Sequence, residues 1–461
     1  MILFELNEVP LKIIDYFIAA HPTSHFARLM ASSRVYESVA EDVGHLSPWI
    51  TWPSLHRGVA NSDHYISDFG QDLGEIDRAY PPVWQLLASA GVPTGVCGSL
   101  HSYPIPADRE NYRFYMPDIF AADPQCIPAA LEPFQDFCLG LARESGRNVS
   151  AKVPLASAAS LVRTLPDLGI TPKTLADLAG QILGERLNST KLVRRRTYQS
   201  VLAFDVFMRQ LERRPVAFST FFTNHVASAM HRYWAALFPD EYETAAFDDE
   251  WRARFGDEIL FAMTKADEML GRLVRHVDRH PGTELIVATS MGQEAVETEA
   301  METQLYVTKP DRFVAQLGVE RGQWKSRPAM LPSFNFEVPA DKTDYVAARL
   351  KSMTVNGSHL SHRLSGEGFF SVDFGHPNLK ETTVIIGNDS VSLADCGLEN
   401  VEIQDRSGTT AYHIPEGTLM IYDGRSKDAS KTQASTLDIA PYILAKFGVD
   451  RPSYMRAPNA L

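Results

Sequence analysis

The sequence is poor in cysteine, in basic charge and in long apolar runs. Four cysteines in 461 residues (Cys97, Cys126, Cys138 and Cys396) show neither a C-x-x-C pair nor Cys/His ligand spacing. That pattern excludes a zinc knuckle and a disulfide framework. Lys and Arg number 44 against 57 Asp and Glu, a net charge of −13. Binding to a nucleic-acid backbone relies on a basic surface, so an acidic chain points away from that function. No segment reaches the ~18 uninterrupted apolar residues of a membrane-spanning helix. The opening Met1-Ile-Leu-Phe-Glu-Leu-Asn-Glu8 has no basic stretch and is broken by Glu5 and Glu8. It does not read as a signal peptide. The expectation is a cytoplasmic protein with no membrane span and no nucleic-acid partner.

What is present is an ordinary globular mixture, 44% hydrophobic and 22% charged. The length suits several domains, or one large α/β core with an insertion. Ile2-Leu-Phe-Glu-Leu6 reads as a buried first strand, and residues 10–20 place Leu11, Ile14, Phe17 and Ile18 at helical spacing. A helix around Trp84 stops at Gly91, and a strand resumes at Pro93-Thr-Gly-Val-Cys97. Residues 217–223 read as a strand, 257–279 as a long amphipathic helix, and Glu284-Leu-Ile-Val-Ala288 as another buried strand. Such alternation predicts a mainly parallel sheet sandwiched by helices. Residues 105–200 are rich in Ala, Leu and Pro and read as a helical insertion or cap. Residues 1–104 and 201–461 then form the core. Short alternating runs over about 340–425 predict a smaller antiparallel or mixed region. The run Arg194-Arg195-Arg196 reads as a solvated helix face, or alternatively as a patch for an anionic substrate.

Ligands of open α/β sheets bind beyond the carboxyl ends of the strands. The polar residues in those places are Glu5, Asn7 and Glu8, then Asn224 and His225, then Ser290 and Gln293. Two further segments stand out: Ser47-Pro-Trp-Ile-Thr-Trp-Pro-Ser-Leu-His-Arg-Gly58 and Tyr412-His-Ile-Pro-Glu-Gly417. Glu5 and Asn7 are two apart and share a strand face. If a helix starts at Asn224, then Ser228 and His231 share a face with it. Thr51, before Trp52-Pro53, suits a helix cap, and a helix N-terminus is also where an anion binds.

The order of these segments resembles the alkaline-phosphatase-like superfamily, in particular its phosphodiesterase, nucleotide-pyrophosphatase and sulfatase-like branches. Thr51-Trp52-Pro53-Ser54 stands where that family has its nucleophile, and Asp63-His64-Tyr65 resembles its His-Gly element. His231-Arg-Tyr-Trp234, His413-Ile-Pro415-Glu-Gly417 and Leu437-Asp438-Ile439-Ala440-Pro441 match later elements. The family's metal-ligand Asp after the first strand is Asn7 here. Its Asp four residues before His231 is Ala227, and its Asp-His pair is Ser290-Met291. The resemblance therefore implies no standard two-zinc centre. It implies either no metal or a single divalent ion, with His231 and His413 as the remaining ligands. It implies Thr51, His231 and His64 as catalytic residues, and Glu5, Asn7, Ser54, His56, Asn224, His225 and Gln293 as substrate-binding residues. Glu5-Leu-Asn-Glu8 and Phe218-Ser-Thr-Phe-Phe-Thr-Asn224 are also similar to a bacterial subgroup associated with polysaccharide assembly. The implied function is a phospho- or sulfo-ester hydrolase or transferase. Its substrate would be an anionic small molecule or a glycan, such as a nucleotide-sugar or lipid-linked sugar. The alternative is a non-catalytic anion- or glycan-binding protein of the same fold.

Overall fold

A computed structural model describes every residue except 145–147, 150–166, 244–245, 367, 381, 426–427 and 460. Its centre is an eight-stranded sheet. Five neighbouring strands are parallel, in the order β6 (Leu285–Ala288), β1 (Ile2–Leu6), β5 (Phe218–Thr223), β3 (Thr94–Cys97) and β4 (Tyr112–Met116). The strand Glu416–Tyr422 pairs antiparallel with β6 and with β2 (Arg34–Val39), and Asp428–Ser435 lies parallel to β2 at the edge. Every residue of β1 is buried, as a strand covered on both faces requires.

Helices cover the sheet on both sides. One apolar layer joins Ile13, Ile14 and Phe17 of helix Leu11–Ala20 to Phe204, Phe207, Trp234, Leu270 and Leu273. The other joins Leu3, Trp52, Trp84, Ile286 and Ile443. The expected order of helix, glycine and strand is present at Val83–Ser89, Gly91 and β3, where Gly91 takes a left-handed φ of 82°. Gly95 within β3 has a steric cause: a Cβ there would sit 2.2 Å from the Phe114 ring.

The segment 105–200 departs from a purely helical insertion. It holds helices Glu132–Glu144 and Pro172–Leu187, but also β4, an edge strand of the central sheet. Its far boundary is not a boundary either, because helix Arg195–Arg213 runs through residue 200. The expectation for residues 150–166 lies outside the described residues. Beyond β6 the chain builds two four-stranded antiparallel sheets around a separate apolar cluster that includes Phe313, Phe336, Phe370 and Val384. No helix of the described residues is long and apolar enough to cross a membrane.

Candidate functional site

The carboxyl end of β1 carries an unusual turn. Asn7 still bonds as part of the sheet, its N–H donating to Thr223 O at 3.1 Å. Glu8 then takes a φ of 59°, a left-handed conformation that costs a residue with a side chain roughly 1 kcal/mol or more. The strain places the Glu8 carboxylate, 1% exposed, in a ring of partners. Asn7 Nδ2 donates to Glu8 Oε1 at 2.7 Å, and Gln293 Nε2 donates to Glu8 Oε2. Facing the same Oε2 are His231 Nε2 at 2.9 Å and His413 Nε2 at 3.5 Å.

Each histidine is aimed by its other nitrogen. His231 lies in helix His225–Leu237, which starts directly after β5, and its Nδ1 donates to Ala411 O at 2.7 Å. His413 lies in the strand Ala411–Ile414, paired with β7 (Gly292–Ala295) so that His413 and Gln293 are opposite one another. Its Nδ1 donates to Leu46 O at 2.8 Å. A carbonyl only accepts, so Nδ1 carries a proton in both rings, and Nε2 is the nitrogen turned to Glu8. This is how protein scaffolds orient imidazoles towards a metal ion. The three ligand atoms lie within 4.8 Å of one another, and they form the one group of at least three His, Cys, Asp or Glu with metal-binding geometry among the described residues.

The electrostatics agree with the geometry. Burial pushes the Glu8 carboxyl up, but His413 and then His231 outweigh it and hold the group well below the usual carboxylate range. Burial pulls His413 down, but the charge of Glu8, its hydrogen bond and the Leu46 carbonyl raise it overall. Asn7 is fixed in turn. Its Oδ1 accepts from Trp52 Nε1 at 2.7 Å, and its Nδ2 also reaches Asn224 Oδ1 at 2.7 Å.

A cavity of about 670 Å³ opens above this cluster. Glu8, Asn224, His225, Ser228, His231 and His413 lie on its wall with the cations Arg196, Arg232 and Arg363. Arg232 Nη1 donates to the Ser228 carbonyl and hydroxyl at 2.8 Å each, while its buried Nε has no protein partner. Arg363 is paired with Asp68 at 2.6 Å. The arginine run thus divides. Arg194 and Arg195 make forked ion pairs with Glu258 and Glu185, and Arg196 lines the cavity.

The structure brings together Asn7, Asn224, Gln293, His231 and His413, and adds Glu8 and Arg232 to them. Thr51 lies close by, next to Trp52, which bonds Asn7, and against Ser290 after β6, but it is not on the cavity wall. The helix that contains it, Pro48–Arg57, begins three residues earlier with Ser47 at its N-cap, and the Thr51 N–H already donates to Ser47 O. Thr51 Oγ1 is fully buried and is held by Ser290 Oγ at 2.7 Å and Ser47 O at 3.2 Å. It neither opens the helix nor lines the cavity. His64 is also turned away from a base role. Its Nδ1 accepts from the Ile66 N–H at 3.0 Å, so Nε2 carries the proton and donates to Ser54 Oγ at 2.8 Å. Ser54 donates onward to Asp42. Burial and the nearby Arg57 and His101 push His64 down to about 3.

Glu5 and His56 form a sealed pair, Oε1 to Nε2 at 2.8 Å, both 0% exposed, with the Trp52 and Trp84 rings against the imidazole. They support the floor of the site and do not reach the cavity. His225 lines the cavity but is engaged on both sides, by Thr223 Oγ1 at 2.6 Å and Ala262 O at 3.1 Å, and burial pulls it down to about 4.

Fold and site together define a mainly parallel α/β protein with a buried Glu-His-His cluster at the strand ends. No protein-family model matches the chain, and no curated protein matches it. Among solved structures it is similar to murine ectonucleotide pyrophosphatase/phosphodiesterase 5, with a TM-score of 0.41 and 12% identity over 98% of this chain and 96% of that one. An inactive variant of the murine protein in complex with AMP matches equally, and the human protein gives a TM-score of 0.40 at 12% identity. Likeness at that level transfers no activity to this chain.

Proposed function

We propose that the protein is a phospho- or sulfo-ester hydrolase or transferase centred on Glu8, His231 and His413, using a single divalent cation. The observation that carries this reading is the aim of the two imidazoles. Both Nδ1 atoms are tied to carbonyl oxygens, and both Nε2 atoms converge on one carboxylate oxygen. Two nitrogens and one carboxylate oxygen suit a cation that keeps an open position, as catalytic zinc does. The donor set fits one ion. We read one ion rather than two because positions 227, 290 and 291, where the resemblance puts ligands of a two-metal clamp, are Ala, Ser and Met. A cation held by Glu8 Oε2, His231 Nε2 and His413 Nε2 would supply Lewis-acid polarisation of an ester oxygen.

The chain's own residues do the rest. Arg232 and Arg363 present positive charge to an anionic group in the cavity. Asn7 and Gln293 keep the Glu8 carboxylate in place. Thr51 Oγ1 is sealed, so the attacking hydroxyl comes from water or from an acceptor substrate and no covalent Thr51 intermediate forms. The substrates in view are a glycan, a nucleotide-sugar or a lipid-linked sugar of surface-polysaccharide metabolism, handled in the cytoplasm. The sealed Thr51 also favours a second reading, a cation-dependent binder of such anions without turnover.

Zn²⁺ and Mn²⁺ titration combined with a screen of phosphodiesters, phosphomonoesters and sulfate esters separates the two. Turnover that needs added cation and is lost in His231→Ala supports the enzyme. Anion binding without turnover selects the binder. If neither cation nor anion binds, both readings fall.

A further inference from the structure

The helix that carries His231 begins at the cavity with an N-cap residue that does not cap. An asparagine in that place ordinarily turns its side-chain oxygen back to a first-turn N–H. Asn224 does not, and the first turn of His225–Leu237 is left without a side-chain cap. The cause lies at the end of β1. Trp52 Nε1 can only donate, and it donates to Asn7 Oδ1 at 2.7 Å. That fixes the Asn7 amide, whose Nδ2 donates to Glu8 Oε1 and to Asn224 Oδ1 at 2.7 Å each. Asn224 Oδ1 is thereby spent as an acceptor, and Nδ2 is the end left for the cavity that this exposed residue lines. No described residue accepts from it.

Ser228 and Arg232 follow one and two helical turns later, on the same face and the same cavity wall. A guanidinium has no acceptor, so Arg232 Nη1 donates to the Ser228 carbonyl and to Ser228 Oγ, at 2.8 Å each. The Ser228 oxygen receives that bond, and its hydrogen is left to donate outwards. Asparagine and serine can each offer a donor or an acceptor, and here the protein takes up the acceptor of both. One helix face therefore presents an amide N–H, a hydroxyl O–H and a cation in a row, at the positive end of the helix dipole. Donors fixed before a ligand arrives cost no reorganisation when it binds. The non-bridging oxygens of an ionised phosphoryl or sulfuryl ester are acceptors only, and they match such a row.

We infer that Asn224 Nδ2, held as a donor by Asn7, and the Ser228 hydroxyl bind the non-bridging oxygens of the substrate ester beside the Arg232 charge. The inference rests on the ester-handling reading of the Glu8, His231 and His413 cluster and names the groups that grip the anion there.

The test uses the full chain with one equivalent of Zn²⁺, titrated by calorimetry with dimethyl phosphate and with methyl sulfate. The tighter of the two tells a phosphodiester site from a sulfate-ester site. Losing one hydrogen bond to a charged group weakens binding about 10- to 100-fold. Ser228→Ala removes only the hydroxyl, and its affinity for the preferred anion is expected to fall about tenfold. Asn224→Asp keeps an oxygen for Asn7 and puts an anionic oxygen where the donor was, so its anion affinity falls further. Zn²⁺ affinity, read by chelator competition, stays at the wild-type value in Ser228→Ala and does not fall in Asn224→Asp. If Asn224→Asp does not fold, Ser228→Ala decides alone. Unchanged anion affinity in the folded variants overturns the donor row and leaves the ester site standing. A fall in anion affinity matched by an equal fall in Zn²⁺ affinity also overturns it, since the residues would then act only through the cation site. Binding of neither anion by the wild type overturns the row together with the ester reading.

Discussion

Glu8→Gln is the substitution on which the site reading is most exposed. It preserves side-chain volume and exchanges one carboxylate oxygen for an amide nitrogen. In the native protein both oxygens accept: Oε1 from Asn7 Nδ2, and Oε2 from Gln293 Nε2 with the two imidazoles beside it. A glutamine offers one acceptor and two donors. Whichever way its amide turns, one native donor meets N–H groups and loses its acceptor. A buried donor left unsatisfied costs ~1–3 kcal/mol. The attraction between the carboxylate and any charge on the histidines goes as well, and breaking a buried ion pair by removing one partner costs ~3–5 kcal/mol. His231 keeps a side-chain exposure of 24%, so solvent moderates that second figure, and we expect a loss of ~2–4 kcal/mol in metal-free protein. The effect on cation affinity is larger. Removing a residue that only orients a ligand costs ~10–100-fold, and here the sole anionic ligand is lost, so the drop exceeds ~100-fold. Urea unfolding without metal measures the first effect, and competition with a chromogenic chelator measures the second. A Glu8→Gln protein that binds Zn²⁺ as tightly as wild type would refute the cluster as a metal site. Unchanged unfolding would refute the bonding scheme around it.

Asn7→Leu leaves the Trp52 indole N–H without its acceptor and frees Glu8 Oε1. It should cost ~1–3 kcal/mol of stability, and cation affinity should fall ~10–100-fold in the same chelator assay. Thr51→Val should lose ~1 kcal/mol, from the bond to Ser290, while cation affinity and any ester turnover persist; abolished turnover in a stable Thr51→Val protein would restore Thr51 as nucleophile. His64 is pulled down to about 3, chiefly by burial, so between pH ~6.5 and that value the unfolded chain binds a proton that the native protein does not. Stability then rises with pH by ~1.4 kcal/mol per unit from this residue, and is lost on acidification through that window. Urea midpoints at pH 5 and pH 6 should show His64→Gln flattening the slope by about that amount. A slope identical to wild type would mean His64 titrates freely.

The parallel core was legible because it is written locally. A helical repeat, a glycine and a buried run recur at Val83–Ser89 with β3 and at Glu258–Arg279 with β6. β4 was hidden because Tyr112-Arg-Phe-Tyr-Met116 is short and lies in a stretch dominated by Ala, Leu and Pro. Its place at the sheet edge is set by long-range pairing with β3. The convergence of Asn7, His231 and His413 could be read from their order along the chain. The part of Glu8 could not, since along extended backbone it would face the other way from its neighbour Asn7, and only the left-handed turn at φ 59° brings it beside Asn7. Thr51 misled for a local reason. Ser47-Pro48 is itself a strong start signal, with Pro at the first helical position, and it moves the helix opening three residues upstream. The direction of His64 was not legible, because the tautomer depends on the Ile66 N–H two residues away.

Positions 8, 227 and 293 around the cluster form one coupled arrangement. A carboxylate at position 227 would stand one helical turn before His231, on the same face. In this chain position 227 is a fully buried alanine, and the space beside it is taken by Gln293, whose Nε2 touches both Ala227 O, at 3.3 Å, and Glu8 Oε2. The negative charge therefore reaches both histidines from the end of β1, and not from the helix that carries His231. Gln293 is held opposite His413 by the pairing of β7 with Ala411–Ile414, so the same short ladder that places one histidine also places the donor that steadies the Glu8 carboxylate. A decaying site would fill such a gap with an apolar side chain, which is the less costly solution in a dry interior. Here a strained glutamate, two aimed imidazoles and a bridging amide are kept together. Glu8→Ala with Ala227→Asp tests this arrangement directly, by placing a carboxylate on the helix while removing the one after β1. Recovery of Zn²⁺ affinity relative to Glu8→Ala alone, read by chelator competition, is the expected result. No recovery in a folded double variant would show that the histidines answer to the β1 carboxylate only.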